Sequence, residues 1–432
     1  MPQQGQTGLA LRQRSAGRLA EVLAGADFVP FSDDDMGDPR DRALANRLVT
    51  TALRRHGHIE AILTRLLENG LPKRAGSFEA HLRLGLAQLI YLPEQGDHSA
   101  VHLAVEGIKS DHKARHFARL MNAVLRRAQA EAETLRALPP DLLVPEPLHH
   151  AWERDYGQGT VEAAADNLLS GAALDLTLKD RDAALEQELG ATPVLGDTVR
   201  LTARSRAVSD LPGYAEGHWW VQDVAAAIPA RLMHLQPGAR VLDLCAAPGG
   251  KTAQLVKAGY AVTALDNSGT RLARLRQNLA RLRYEAEIVE ADAATYRPAA
   301  PFDGVLLDAP CSATGTFRRH PEVLWRRGAG RIAGRTELQR ALAGRAVSCL
   351  NPGGVLIYCV CSLERAEGED QARWVGERYP ELVLDAIGVD EVSGLDGAVT
   401  AEGTIRTHPG LTVPGDKRGS LDGFFIARFR RR

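Results

Sequence analysis

The sequence predicts a multidomain protein: an all-helical N-terminal bundle, a small α/β connector, and an α/β domain with a doubly wound, mostly parallel sheet. Up to about Gln129, apolar residues recur at the i, i+3 and i+4 positions that are typical of amphipathic helices. The proline-rich stretch LPPDLLVPEPL then interrupts this period. From about Trp219 onward, apolar strand-like runs alternate with helical ones, which indicates a parallel sheet covered by helices.

Length and composition support this division. A chain of 432 residues is too long for one ordinary core. We predict four segments: a helical domain over 1–137, a linker over 138–148, the connector over 149–218, and the α/β domain over 219–432. No apolar run is long enough for a transmembrane helix, and the N-terminus lacks the pattern of a secretory signal. We therefore expect a cytoplasmic monomer without structural disulfides and without a membrane partner.

The α/β domain has five predicted strands followed by a last C-terminal strand. In chain order they are ARVLDLC, AVTALD, EAEIVEAD, FDGVLLDAPC, GGVLIYCVCS and DGFFIARFRR. In a doubly wound sheet, ligands bind at the carboxyl ends of the strands. The residues that follow each strand are therefore the candidates for chemistry.

A cofactor site is predicted where the first strand ends. The turn DLCAAPGGKT, residues 243–252, has glycines that let the backbone approach a ligand, and the helix after it presents free N–H groups. Asp266 and Asp292 end the next two strands, where a carboxylate accepts hydrogen bonds from ribose or adenine groups. The turn lacks the G-x-G-x-x-G pyrophosphate fingerprint, which favours S-adenosylmethionine over a dinucleotide.

Two cysteines follow neighbouring strands. Asp308 and Cys311 lie in the turn after the fourth strand, and Cys361 follows the fifth, so the two thiols can face one target. A thiolate that adds to C6 of cytosine makes C5 nucleophilic enough to accept a methyl group, and a second group must then remove the C5 proton. A zinc site at Cys359 and Cys361 is disfavoured, because C-x-C has no second pair nearby. A disulfide between them is disfavoured, because its geometry is poor on a strand and disulfides are rare in the cytosol. We expect no metal.

A basic segment predicts contact with RNA. Residues 318–345 carry eight arginines against two glutamates, although the net charge of the whole chain is only −1. Arginine guanidinium groups bind phosphates in a bidentate way. The predicted RNA-binding residues are Arg318, Arg319, Arg326 and Arg327. A solvated loop is the alternative.

Together, CAAPGGK, DAPCS, HPEVLW, the Cys-Ser after the fifth strand and DGFFIARF resemble the Nop2/Sun family of RNA cytosine-5 methyltransferases. The N-terminal helices resemble a NusB-like RNA-binding domain. The combination is similar to the RsmB (Sun) type, which implies a Rossmann-like methyltransferase that uses S-adenosylmethionine to methylate cytosine 967 of 16S ribosomal RNA.

The resemblance also implies a role for each matching residue. Cys361 would attack C6, Cys311 would help to release the product, Asp308 would bind the base, and Lys251 would reach into the catalytic pocket. The implied cofactor residues are Cys245, Ala246, Ala247, Pro248, Gly249, Gly250, Lys251, Asp266, Asp292 and Asp308. One position departs from the family: Val360 stands where a threonine usually precedes the cysteine.

Alternative functions remain open from the sequence. The nearest is the same chemistry on transfer RNA or on another ribosomal cytosine. A non-catalytic RNA-binding assembly factor would predict a lost thiol or a lost Asp308, and both are present. A dehydrogenase would need the missing pyrophosphate fingerprint. An N-methyltransferase would prefer an Asp/Asn-Pro-Pro-aromatic turn in place of Asp308-Ala309-Pro310-Cys311.

Overall fold

The computed structural model describes residues 2–201, 207–326, 329–411, 413–414 and 421–432. The chain forms two compact units. The first comprises residues 1–170 together with 319–326, and the second comprises residues 171–318 together with 327–432. None of the helices among the described residues is long and apolar enough to cross a membrane.

The first unit is built from helices, as the apolar period predicts. Its α-helices are α1 (Pro2–Leu23), α2 (Pro39–Arg54), α3 (His56–Leu66), α4 (Phe78–Tyr91), α5 (Asp97–Lys109), α6 (Ala118–Ala130), α7 (Ala132–Arg136), α8 (Glu146–Tyr156) and α9 (Gln158–Ser170). Short 3-10 helices cover Pro93–Gln95, Arg115–Phe117 and Pro140–Leu143. Helix α4 is buried on nearly every side and packs against α1, α2, α5 and α6. A helix that is apolar all round lies inside a bundle.

Residues 319–326 fold with this helical unit, although the sequence analysis assigned them to the α/β domain. Within the segment, the 3-10 helix Pro321–Trp325 places the Trp325 ring against His56, with the ring centroids 4.4 Å apart. The buried Glu322 carboxylate accepts a hydrogen bond from the Phe28 amide at 3.0 Å. The HPEVLW motif is therefore part of the core of the helical unit.

The second unit begins with a small antiparallel sheet of order β2-β3-β1-β4. Its elements are β1 (Leu174–Leu178), α10 (Ala183–Leu189), β2 (Ala191–Leu195), β3 (Thr198–Leu201), the 3-10 helix Val208–Asp210 and β4 (Trp219–Val221). The structure thus divides the predicted connector 149–218. Its first helices, α8 and α9, belong to the first unit, whereas α10 and its strands belong to the second.

A larger sheet follows, with the order β10-β12-β9-β8-β5-β6-β7 and with β11 paired to β12. The elements are α11 (Val224–Arg231), β5 (Arg240–Leu244), α12 (Gly250–Lys257), β6 (Ala261–Asp266), α13 (Gly269–Leu282), β7 (Glu287–Glu290), β8 (Phe302–Asp308), α14 (Ala329–Ser348), β9 (Leu350–Val360), α15 (Glu369–Arg378), β10 (Leu382–Leu384), β11 (Ile405–Thr407) and β12 (Phe424–Arg431). Further 3-10 helices cover Thr314–Thr316, Val389–Val392 and Asp396–Ala398.

Strands β5 to β9 run parallel, and β12 is antiparallel to β9. This confirms the predicted doubly wound, mostly parallel sheet. Apolar side chains on both of its faces form two buried clusters, as expected for a sheet covered by helices.

A buried ion cluster fixes the end of the loop that follows β8. The Arg318 side chain is 1% exposed, and its guanidinium binds the Asp223 carboxylate and, at 2.9 Å, the Asp422 carboxylate. Asp223 also caps the N-terminus of α11 by accepting the Ala225 amide. One cation therefore ties the loop to α11 and to the chain that enters β12.

Replacing Arg318 with an uncharged side chain of similar volume tests whether the buried ion cluster stabilises the fold. Arg318→Met should lower the free energy of unfolding by about 3–5 kcal/mol, because it leaves buried carboxylates without their counter-charge. Urea denaturation followed by tryptophan fluorescence measures the change. Arg276→Met, at an exposed position of α13, is the matched control and should change stability by less than about 0.5 kcal/mol. Equal effects of the two variants would contradict the structural role of Arg318.

Candidate active site

A cavity of about 230 Å³ opens at the carboxyl ends of the central parallel strands of the second unit. Its lining joins residues at the ends of β6 and β8 and in the turns after β5, β6, β7, β8 and β9 to Arg271 of α13 and two leucines of α14. These are Cys245, Leu265, Asp266, Asn267, Arg271, Asp292, Ala293, Asp308, Ala309, Pro310, Cys311, Ala313, Leu338, Leu342 and Cys361. The cavity therefore brings together Asp266, Asp292 and Asp308 with both cysteines that the sequence singled out.

The turn after β5 has the tight geometry that its glycines predict. Gly249 has φ +102°, and a Cβ there would lie 3.0 Å from the Leu275 side chain, so only glycine fits without strain. The Ala246 amide donates to the Leu265 carbonyl at 3.0 Å, which holds the turn against β6. Of the predicted cofactor residues in this turn, Cys245 lines the cavity. Residues 246–250 form the backbone frame of the turn and the start of α12.

Asp266 and Asp292 present carboxylates to the cavity. Asp266 is buried, and its carboxylate accepts the amides of Ala247 at 3.3 Å and Ser268 at 3.0 Å. Asp292 is exposed and accepts the Ala294 amide at 2.9 Å. These bonds orient the two acids, while free lone pairs remain for hydroxyl or amino groups of a ligand.

The donor set fits a nucleoside-containing cofactor. Carboxylates contribute to the lining of the cavity, and Ala293, Leu338 and Leu342 supply an apolar surface. Beneath the turn, burial raises the pKa of Asp243 to about 7, and Thr252 donates to one of its oxygens at 2.6 Å. The other oxygen, Oδ1, has no hydrogen-bond partner among the described residues.

The two thiols that follow β8 and β9 are in contact. Cys311 Sγ and Cys361 Sγ lie 3.5 Å apart. The hydrogen bond with Cys361 and burial raise the pKa of Cys311 well above its usual value, so this group is a thiol at neutral pH. Cys361 is the more exposed of the two. The pair therefore combines a buried thiol with one that is accessible from the cavity.

Asp308 is oriented by two neighbours. Lys251 Nζ lies 2.7 Å from Asp308 Oδ2, and Cys359 Sγ lies 3.6 Å from Asp308 Oδ1. Burial opposes the charge on Lys251, but Asp308, with smaller contributions from Cys359 and Cys361, outweighs it and raises the pKa of this ammonium. Burial also raises the pKa of Cys359 well above its usual value. Lys251 is thus a fixed cation beside the carboxylate.

Cys359 and the α14 leucines are contributions that the sequence analysis did not assign. Cys359 is buried in β9, and its thiol reaches the Asp308 carboxylate. Leu338 and Leu342 lie on a helix whose sequence shows only an ordinary amphipathic period. All five cysteines are unpaired, and the described residues contain no cluster of three or more His, Cys, Asp or Glu side chains suited to a metal ion.

The predicted RNA-binding arginines differ in their placement. Arg318 is buried and bound to two carboxylates, so the expectation that it contacts RNA is wrong. Arg326 is mostly buried within the helical unit and is paired with Asp27. Arg319 is exposed, and Arg327 lies outside the described residues. An arginine-rich sequence does not distinguish a buried cation from a surface one, because the partners of Arg318 are distant in the chain.

Comparison with known proteins identifies the family. The model of the 16S rRNA methyltransferase RsmB/F family matches residues 230–430, and the NusB family model matches residues 24–130. The small-subunit ribosomal RNA methyltransferase B of Xanthomonas campestris is 36% identical over 413 residues, covering 91% of this chain and 89% of the relative. The enzyme of the same name from Pseudomonas putida is 36% identical over 445 residues, covering 96% and 97%.

The chain belongs to the RsmB/F methyltransferase family. As a member of that family, it is an RNA methyltransferase that depends on S-adenosylmethionine. This confirms the predicted enzyme class and cofactor, and the NusB match confirms the predicted type of N-terminal domain.

Solved structures agree with this fold. The structure of PH0851 aligns with 98% of both chains at a TM-score of 0.77 and 22% identity. The structure of NSun6 from Pyrococcus horikoshii aligns with 66% of this chain and 98% of that one, at a TM-score of 0.55 and 18% identity. At these identities the likeness supports the fold of this RsmB/F member and no finer role.

Proposed function

We propose that this RsmB/F member methylates C5 of a cytosine in 16S ribosomal RNA, through a covalent bond between Cys361 and C6 of the base. The observation that carries the proposal is the 3.5 Å contact of Cys361 with Cys311 at the cavity that also contains Asp308. A single thiol would suffice for attack alone. Two thiols in contact supply both the attacking group and the group that completes the reaction.

Cys361 is the better placed nucleophile. Both cysteines line the cavity, but Cys361 is the more exposed, whereas Cys311 is buried and held in its thiol form by its raised pKa. The thiolate is the reactive form of cysteine. The Lys251 ammonium is the nearby fixed cation, and the sulfurs of Cys359 and Cys361 contribute to the rise of its pKa. Attack on C6 forms the C–S bond and makes C5 nucleophilic.

Asp308 and Cys311 act on the base after attack. Lys251 and Cys359 orient the Asp308 carboxylate, and its remaining lone pairs can accept a hydrogen bond from the cytosine amino group. The bound cofactor supplies the methyl group that C5 accepts. Cys311 then relays the C5 proton: its sulfur accepts that proton while its own proton passes to the departing Cys361 sulfur, 3.5 Å away. The C6–S bond breaks, Cys361 leaves as the thiol, and the aromatic ring of the product is restored.

The substrate is proposed from the family and from the helical unit. The relatives at 36% identity are named for the small-subunit ribosomal RNA, and cytosine 967 is the expected target. The C6 face is inaccessible in a stacked helix, so the target base must be flipped or single-stranded. We assign RNA docking to the NusB-like helices. Arg319 is exposed and remains a predicted RNA contact, eight residues after Cys311 in the sequence.

Removing each thiol should separate the two roles. Cys361→Ala should lose RNA methylation by at least about a thousandfold and form no adduct, because no group attacks C6. Cys311→Ala should also lose turnover but should accumulate a covalent RNA complex, because the C5 proton is not removed. The complex is measured as a shifted band on a denaturing gel with a 16S fragment.

Cys349→Ala is the matched control, because Cys349 is a buried cysteine in the apolar core, outside the cavity lining. It should methylate like the wild type. Adduct formation by Cys361→Ala, or free turnover of Cys311→Ala, would contradict the assigned roles.

Bisulfite sequencing tests the substrate. Ribosomal RNA from a strain that lacks this gene should convert fully at cytosine 967, whereas the parent strain should be protected there. The wild-type gene should restore protection, and the Cys361→Ala gene should not. Protection that persists in the deletion strain would reject this target.

A further inference from the structure

We infer that two glutamates of one short segment, Glu367 and Glu369, are positioning residues that hold the two cysteine turns separately. Glu367 fixes the turn of Cys311, and Glu369 fixes the turn of Cys361 through Arg406. This inference rests on the proposed covalent function, because it assigns the two acids to two different steps of that reaction.

Glu367 is fully buried and points at the residue after Cys311. Its carboxylate accepts the Ser312 amide at 2.9 and 3.1 Å, and it also accepts the Ser312 hydroxyl. Gln339 donates to Glu367 at 3.3 Å and to the Pro310 carbonyl at 3.0 Å. The peptide groups on both sides of Cys311 are therefore fixed by one buried carboxylate and one buried amide.

A buried carboxylate is costly unless several donors stabilise its charge. The donors found for Glu367 are a backbone amide, a hydroxyl and a side-chain amide, and all belong to or contact the Cys311 turn. An apolar side chain would fill this space at lower cost. The carboxylate is explained by its hydrogen bonds to the turn. These bonds determine the position of the Cys311 thiol relative to Cys361.

Glu369 acts on the other turn. It forms a bidentate pair with Arg406 of β11, with N–O distances of 3.0 and 2.7 Å. Another nitrogen of the same guanidinium donates to the Ser362 carbonyl at 2.6 Å, directly after Cys361. Fork-shaped pairs of this kind hold a guanidinium in one orientation. Glu369 therefore aims Arg406 at the Ser362–Leu363 peptide, one peptide group beyond Cys361.

The two turns share a direct contact, since the hydroxyls of Ser312 and Ser362 lie 3.0 Å apart. A loss of turnover alone would therefore not separate the two glutamates. The separation comes from adduct chemistry, because formation of the C6 bond requires Cys361, whereas its release requires Cys311.

The test measures the rate of covalent adduct formation and the yield of methylated RNA with a 16S fragment. Glu367→Gln should lower turnover about tenfold or more and accumulate adduct, because Cys311 is displaced from the C5 proton. In a Cys311→Ala background, the same change should leave adduct formation unaltered, because the thiol that it positions is absent. Glu369→Gln in that background should slow adduct formation about tenfold.

Asp370→Asn is the matched control. It removes an exposed acid next to Glu369, which pairs with Arg373 at 3.1 Å, and it should behave like the wild type. Calorimetric affinity for S-adenosylmethionine should stay unchanged in every variant, which shows that the fold is intact. If Glu367→Gln does not fold, Ser312→Ala removes only the hydroxyl donor and should give the same accumulation of adduct more weakly.

Three results would overturn the inference. If Glu367→Gln slows adduct formation in the Cys311→Ala background as much as Glu369→Gln does, both glutamates have only a general structural role. Wild-type turnover of both glutamate variants would show no role at all. If Cys311→Ala itself forms no adduct, the covalent function fails, and the inference fails with it.

Discussion

The parallel register of β8 against β9 determines where the two thiols meet. Asp308, the last residue of β8, lies opposite Cys359, and the Ala309 amide donates to the Cys359 carbonyl at 2.9 Å. The ladder continues beyond the strands, where the Gly315 amide donates to the Cys361 carbonyl at 3.1 Å. A shift of one residue would turn the side chains to the opposite face. The contact between the Cys311 and Cys361 sulfurs is thus determined by the backbone pairing of β8 with β9.

Tight packing around the β8 turn preserves this register. A Cβ on Gly315 would lie 1.9 Å from the Gly423 carbonyl oxygen, so the turn approaches the chain before β12 closely. Arg318 then fixes the end of the same turn to Asp223 and Asp422. Val360, which replaces the usual threonine, is fully buried in the apolar cluster and places no hydroxyl there that would need a hydrogen-bond partner.

Much of this site could be predicted from the sequence, because its residues directly follow strands. Asp266, Asp292, Asp308, Cys311 and Cys361 were placed by that rule, and the cavity brings them together. The rest depends on partners that are distant in the chain. From its sequence neighbours, Arg318 is expected at the surface, because the two carboxylates that bind it are distant in the chain. Glu367 lies in the charged stretch ERAEGED, whose pattern indicates an exposed turn, although its side chain is buried.

The central claim is that Cys361 forms the bond to cytosine. The most direct measurement uses a 16S fragment with 5-fluorocytosine at the target position, wild-type protein and S-adenosylmethionine. Fluorine replaces the C5 proton that must be removed, so the reaction should stop at a stable covalent complex. Mass spectrometry of the digested complex should place the modified nucleotide on Cys361. A nucleotide on Cys311, or the absence of any complex, would contradict the account.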